Sequence, residues 1–414
     1  MHRLGWVAGL GAVICFQAAY GQPEGAAWRR HTIDAGSRGA DGVRLADING
    51  DGLADVATGW EEGGEVRIYL NPGPQQSKQL WPQAVVGPAA AVEDAVFMDL
   101  NRDGRLDVVA CCEGQERSVW AYLASGDDPL QSATWQAFAF PQVRNQQQWM
   151  FALPLQQADP VGVDLVLGSK GQGASISRLV SPSGPVSSAA TSQNVEQTLS
   201  AWTLHRLTEA GWIMSLRQQD VDADGDQDII FSDRRGSQAG CWWLENPGRV
   251  VDVVQQSLPW KRHPIAGIGK QVMFLDVADI NGDGQDDVVA AVSGGNIVMA
   301  VRVGGINEVQ WLESTVAMPP GVGTGKAVAV ADVDADGTQD LIVTCENAQR
   351  VSGVFWLQLS SAKDWRPYEI SGVDAGIKFD RIELLDLDHD GDRDVITCEE
   401  RDNLGVIWYE NPTR

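Results

Sequence analysis

Apolar and β-branched residues along this chain come in short runs, and polar turn residues break every one of them. "DVATG", "DVVAC", "DLVLG", "DIIFS", "DVVAA", "DLIVT" and "DVITC" each open on an acid and continue as a β-branched strand. An apolar stretch such as "GVRLA" or "AVFM" precedes each one. A third run follows and often ends in a turn, as in "VRIYLNPG", "CWWLENPG" and "VIWYENP". A fourth strand opens on tryptophan, at Trp81, Trp135, Trp202, Trp260, Trp311 and Trp365. Four short strands per unit, jointed by Gly, Pro and Asn, predict an all-β chain of propeller blades.

Between the first two strands of a unit lies a nine-residue acid hairpin. It reads "DINGDGLAD" from Asp47, "DLNRDGRLD" from Asp99, "DVDADGDQD" from Asp220, "DINGDGQDD" from Asp279, "DVDADGTQD" from Asp332 and "DLDHDGDRD" from Asp386. A decayed copy from Gln156 keeps only the last acid, Asp164, so the third unit is expected to lack the loop. The seven starts lie 52 to 64 residues apart, which predicts seven blades. A seventh tryptophan strand, "WRRHTID" from Trp28, stands before the first loop, and the last unit has none after it. Residues 28–34 are therefore expected to complete the C-terminal blade and close the ring, leaving no open sheet edge.

Oxygens at positions one, three, five and nine of such a hairpin converge into the hard shell that calcium takes. Glycine at position six permits the left-handed turn. The expected ligands are Asp47, Asn49, Asp51 and Asp55; Asp99, Asn101, Asp103 and Asp107; and Asp220, Asp222, Asp224 and Asp228. The remaining three hairpins offer Asp279, Asn281, Asp283 and Asp287; Asp332, Asp334, Asp336 and Asp340; and Asp386, Asp388, Asp390 and Asp394. With these loops in register, the chain from about residue 28 to 414 resembles the FG-GAP or VCBS repeats of integrin α-subunit propellers and many secreted bacterial proteins. The resemblance implies a single seven-bladed domain over 22–414 with about six structural Ca2+ sites. Propellers of this kind include adhesion modules, lectin-like binders and enzymes, so it leaves activity open.

Charge changes its meaning once the hairpins are counted. The net charge is −25, but three loops carry three acids each at ligand positions and three carry four, twenty-one of the 56 acids. The other 35 nearly balance 31 bases, and six calcium ions would bring the total to −13. No basic patch suited to nucleic acid is visible. Residues 1–21 read as a cleaved signal peptide: His2 and Arg3, an apolar run from Leu4 to Ile14, and small residues at Ala19 and Gly21. The expected location is secreted, periplasmic or cell-surface, with no membrane span and a monomeric chain.

Five cysteines remain after such cleavage, an odd number that argues for packed thiols rather than a disulfide framework. His31, His205 and His263 each follow a blade tryptophan by three residues, which points to packing and leaves no histidine for base catalysis. No catalytic residue is assigned. The loops opposite the acid hairpins carry Glu61, Glu93, Asp94, Trp149, Lys170, Trp212, Asp233, Arg234, Lys270, Lys326, Glu346, Lys378, Asp380, Glu399, Glu400 and Arg401. Asp41, Glu62 and Glu113 lie on the same face. Charges of both signs beside two tryptophans suit a carbohydrate or protein ligand held near the axis. The alternative is a carbohydrate-active lyase or dehydratase using these carboxylates and Lys/Arg. The "WYENP" endings resemble those of the fungal aldos-2-ulose dehydratase propeller.

Overall fold

Each acid-led β-branched run is the second strand of an antiparallel sheet. The structure, a computed structural model, describes residues 14–15, 21–156, 163–182, 192–248, 260–305, 308–360 and 364–414. The decayed hairpin of the third blade and most of the signal segment lie outside the described residues. Blade 1 runs from axis to rim as Ala40–Ala46, Asp55–Trp60, Glu65–Tyr69 and Gln83–Pro88. Six further sheets repeat that order, so the described residues form a seven-bladed propeller of four-stranded blades. The inner strands of blades 2 to 7 are Val92–Met98, Gln148–Gln156, Ile213–Gln219, Val272–Ala278, Thr324–Ala331 and Glu383–Leu385, and neighbouring inner strands pack against one another around the axis.

The ring closes as the sequence predicts. Arg29–Asp34 pairs antiparallel with Gly405–Glu410, Arg29 opposite Glu410 and His31 opposite Trp408, and is the outer strand of blade 7. In blade 5 the two-residue strand Ile14–Cys15 also runs parallel to the outer strand Gln310–Val316. The single described α-helix, Ser192–Ser200, precedes the outer strand of blade 3. No described helix is long and apolar enough to cross a membrane.

Second strands are buried along their whole length in blades 1, 2, 4, 5 and 7, because each blade is covered by a neighbour on both faces. Blades approach closely where a second strand has no side chain: a Cβ on Gly59 would lie 2.7 Å from Val92, and one on Gly168 would lie 2.6 Å from Ile213. At the rim of blades 4, 6 and 7, the residue three after the blade tryptophan stacks on a tryptophan of the third strand. His31 lies 4.4 Å from Trp408, His263 4.3 Å from Trp243 and Tyr368 4.7 Å from Trp356, centroid to centroid. His31 and His263 also bond Glu410 and Glu245 at 2.7 and 2.6 Å. Cys111, Cys112, Cys241, Cys345 and Cys398 are free, buried thiols.

One irregularity decides what faces the axis. In six blades the inner strand is bulged near its entrance, between Asp41 and Arg44, Val92 and Asp94, Trp149 and Phe151, Ile213 and Ser215, Val272 and Leu275, and Gly325 and Ala327. A bulge breaks the in-out alternation, so residues on its two sides point where strict pleating would not send them.

Candidate functional site

On the face where second strands end, unlike residues from six blades converge. Lys170 pairs with Glu113 and lies 3.4 Å from Glu93; Lys378 pairs with Glu400; Lys326 lies 3.5 Å from Asp380 and 3.9 Å from Glu346. Arg234 reaches Glu346 at 3.7 Å. Trp212 sits among cations, with Lys170, Arg234 and Arg235 at 4.6, 4.8 and 4.6 Å from its ring centre. Oxygens of Asp41, Glu61 and Glu400 lie within 4.8 Å of one another, as do those of Glu61, Glu93 and Glu113. Counting Glu346 and Asp380, seven carboxylates meet the five cations Lys170, Lys326, Lys378, Arg234 and Arg235 among the described residues.

Burial dominates the electrostatics here. It pushes Asp41 well above the usual carboxylate range, with Asp380 and Glu93 adding to the rise, and it pushes Glu93 up to about 8 against the pull of Lys170. Glu61 is also raised by burial. For Lys326, burial alone would lower the ammonium, but Asp380, Asp41, Glu346 and Glu93 outweigh it and hold it above its ordinary value.

Below this mouth a second charged layer lines the channel on the inner strands. Arg44 donates two 2.8 Å bonds to Asp94, Arg217 lies 3.7 Å from Asp276, and Arg381 bonds Glu383 at 3.1 Å. Arg44, Arg217, Asp276, Arg381 and Glu383 escaped the sequence reading. Their signal was a charge inside an otherwise apolar inner strand, as in "GVRLA" and "FLDVA".

The opposite face repeats one construction. Asp47 accepts N–H bonds from Gly50, Asp51 and Gly52, and Asp51 accepts one from Leu53; Asp279 and Asp283 do the same in blade 5. Position nine is a tether as well as an oxygen donor. In six blades its two oxygens accept N–H bonds of 2.7 to 3.2 Å, one from hairpin position two and one from the end of the third strand or just beyond it. Burial raises these acids, Asp55 to about 6, Asp107 to about 8, and Asp228, Asp340 and Asp394 to about 7. Carboxylate oxygens converge within 4.8 Å at Asp220, Asp222 and Asp228; at Asp332, Asp334 and Asp336; and at Asp386, Asp388 and Asp394. Asp220 and Asp388 each keep a buried oxygen without a hydrogen bond. In the other three hairpins Asn49, Asn101 and Asn281 take the third position and turn an amide N–H toward the acid at position five. Asp226 and Asp392 add acids at position seven that the sequence reading passed over.

Residues 47–110, 220–290 and 279–343 match the FG-GAP-like repeat family, each match starting at an acid hairpin and running into the next blade. The chain is an FG-GAP-repeat propeller. No curated protein matches it. Among solved structures, the mercury-soaked crystal structure of BBS1N in complex with ARL6DN is 11% identical at a TM-score of 0.50, covering 94% of this chain and 98% of that one. The lead-soaked structure of the same complex gives 0.53 at the same identity and coverage. At that identity the likeness is one of fold.

In this FG-GAP propeller the mouth gathers twelve of the residues singled out from sequence: Asp41, Glu61, Glu93, Glu113, Lys170, Trp212, Arg234, Lys326, Glu346, Lys378, Asp380 and Glu400. Six others go elsewhere. Trp149 is not a mouth ring; it is fully buried in the core between blades, its indole N–H bonded to the Val143 carbonyl. Asp94 is locked to Arg44 in the lower layer. Lys270 turns to the rim and bonds Glu313 at 2.9 Å. Asp233 and Glu399 are buried braces: Asp233 accepts N–H bonds from Gly211, Trp212 and Arg235, and Glu399 from Ile377, Lys378, Arg401, Asp402 and Leu404. Arg401 extends into solvent, 3.8 Å from Glu400.

Proposed function

We propose that this chain is an exported, calcium-stabilised propeller that binds a carbohydrate or protein ligand on the face opposite its acid hairpins. The contrast between the faces carries the reading. One face repeats a single hairpin six times, whereas the other draws unlike charged residues from six of the seven blades to one place. A scaffold needs no such individuality; a specific ligand does. The residues 1–21 support export, as read from the sequence.

The hairpin donors fit calcium: hard oxygens only, converging, some without another partner. Positions one, three, five and nine would hold the ion, which would supply charge neutralisation and cross-link the first two strands of each blade. Without it, clustered carboxylates repel one another, so binding adds to stability by mass action. BBS1N was crystallised with a protein, ARL6DN, so proteins belong beside sugars among the ligands to test. One observation favours a second reading, a carbohydrate lyase or dehydratase: Glu93, pushed up to about 8 beside Lys170, is suited to proton transfer near neutral pH.

A thermal-shift panel of sugars, uronates and polysaccharides at saturating calcium tests the site. It compares the wild type with a Lys170→Met, Trp212→Ala, Arg234→Met variant. A compound that stabilises only the wild type supports an axis-face carbohydrate site, and its turnover or persistence separates enzyme from binder. A compound that stabilises both proteins equally puts the ligand elsewhere. Silence throughout removes carbohydrate and leaves a protein ligand.

A further inference from the structure

The mouth carboxylates outnumber the mouth cations, and the excess is not spread evenly. In the triad of Glu61, Glu93 and Glu113, Lys170 already bridges two members. The triad of Asp41, Glu61 and Glu400 differs. Lys378 pairs with Glu400, and Arg401 approaches Glu400 from solvent at 3.8 Å, but neither cation pairs directly with Asp41 or Glu61. The Asp41 side chain, only 7% exposed, makes no hydrogen bond or direct ion pair among the described residues, and feels Lys378 and Lys326 only at longer range. The bulge that follows it, with Gly42 at φ 74°, aims its carboxylate toward Glu61 and Glu400 rather than along the strand. A buried carboxylate without a direct partner is costly unless it takes up a proton or gains a cation, and one ion placed among the three oxygens would neutralise all of them at once.

We propose that Asp41, Glu61 and Glu400 bind a divalent cation in the mouth, separate from the hairpin sites on the other face. Three carboxylate oxygens with no nitrogen or sulfur donor select a hard ion of the Ca2+, Mg2+ or Mn2+ class. They leave coordination positions open toward solvent. This deepens the axis-face reading and rests on it in one respect: those open positions would be filled by water or by hydroxyl or carboxylate oxygens of the ligand.

The experiment counts Mn2+ bound to the mature full-length chain by equilibrium dialysis, with electron paramagnetic resonance reporting free ion. Asp41→Asn and Glu61→Gln are compared with wild type and with a hairpin variant, Asp332→Asn/Asp334→Asn. Glu400→Gln serves as the third mouth variant if either of the others fails to fold. Each mouth variant should bind about one ion fewer per chain, or bind that ion at least about tenfold more weakly. Folded mouth variants that keep the full wild-type complement at unchanged affinity would overturn the proposal. If the hairpin variant loses no ion while the mouth variants do, the hairpin assignment fails and the mouth site stands. The reverse pattern leaves the hairpins and removes the mouth site.

Discussion

Glu399 sits among mouth residues in the sequence yet works as a brace, accepting N–H bonds from five residues of the two loops that flank it. Glu399→Ala should therefore cost roughly 3 kcal/mol in urea unfolding, because five partly buried N–H groups lose their shared carboxyl acceptor. Arg401→Ala, whose side chain is 65% exposed, should stay within about 0.5 kcal/mol. Equal losses would mean that Glu399 is not the brace described. Glu245 gives a pH prediction. Burial would raise its carboxyl, but bonds from Lys261 and His263 outweigh burial and hold it below the usual range. A depressed acid contributes stability above its unfolded pKa and loses it as pH falls through the folded one. Glu245→Gln should thus lower the melting temperature modestly near neutral pH, and the gap should close below about pH 4. A gap independent of pH would exclude that account.

At the scale of the hairpin, the structure separates two roles that the acid spacing merges. Asp283 belongs to the exposed cage, whereas Asp287 bonds the Ile280 and Arg302 N–H groups at 3.1 and 2.8 Å. In chelator, Asp287→Asn should still destabilise by about 1–3 kcal/mol, since its amide N–H₂ would face a donor. Asp283→Asn should cost little in chelator and show its effect only with calcium. Identical behaviour of the two variants in chelator would contradict the tether. The hairpins, the blade count and the ring closure were legible because each rests on a repeated local pattern: acids at alternate positions, a left-handed glycine, a tryptophan opening the outer strand. The mouth was only half legible. Asp41, Asp94 and Trp149 occupy similar points in blades 1, 2 and 3, yet one enters the mouth, one pairs with Arg44 and one fills the core. The bulges that redirect them depend on backbone pairing across the blade, which residue types alone do not report.

Across the whole molecule, the two faces divide the work. The repeated face concentrates acids whose mutual repulsion a cation would relieve, and most of the −25 charge traces to it. The individual face combines buried acids and bases at an axis that the ring holds rigid. Under the proposed calcium assignment linkage would tie the two: ions on the hairpins would stiffen the first two strands of each blade, and the far ends of those strands with their adjoining loops carry the mouth residues. The most direct test of this account is the melting temperature of the chain, first freed of metal with EDTA and then titrated with calcium. The account predicts a rise of many degrees that saturates as the hairpins fill. A melt that is the same in EDTA and in saturating calcium would contradict it.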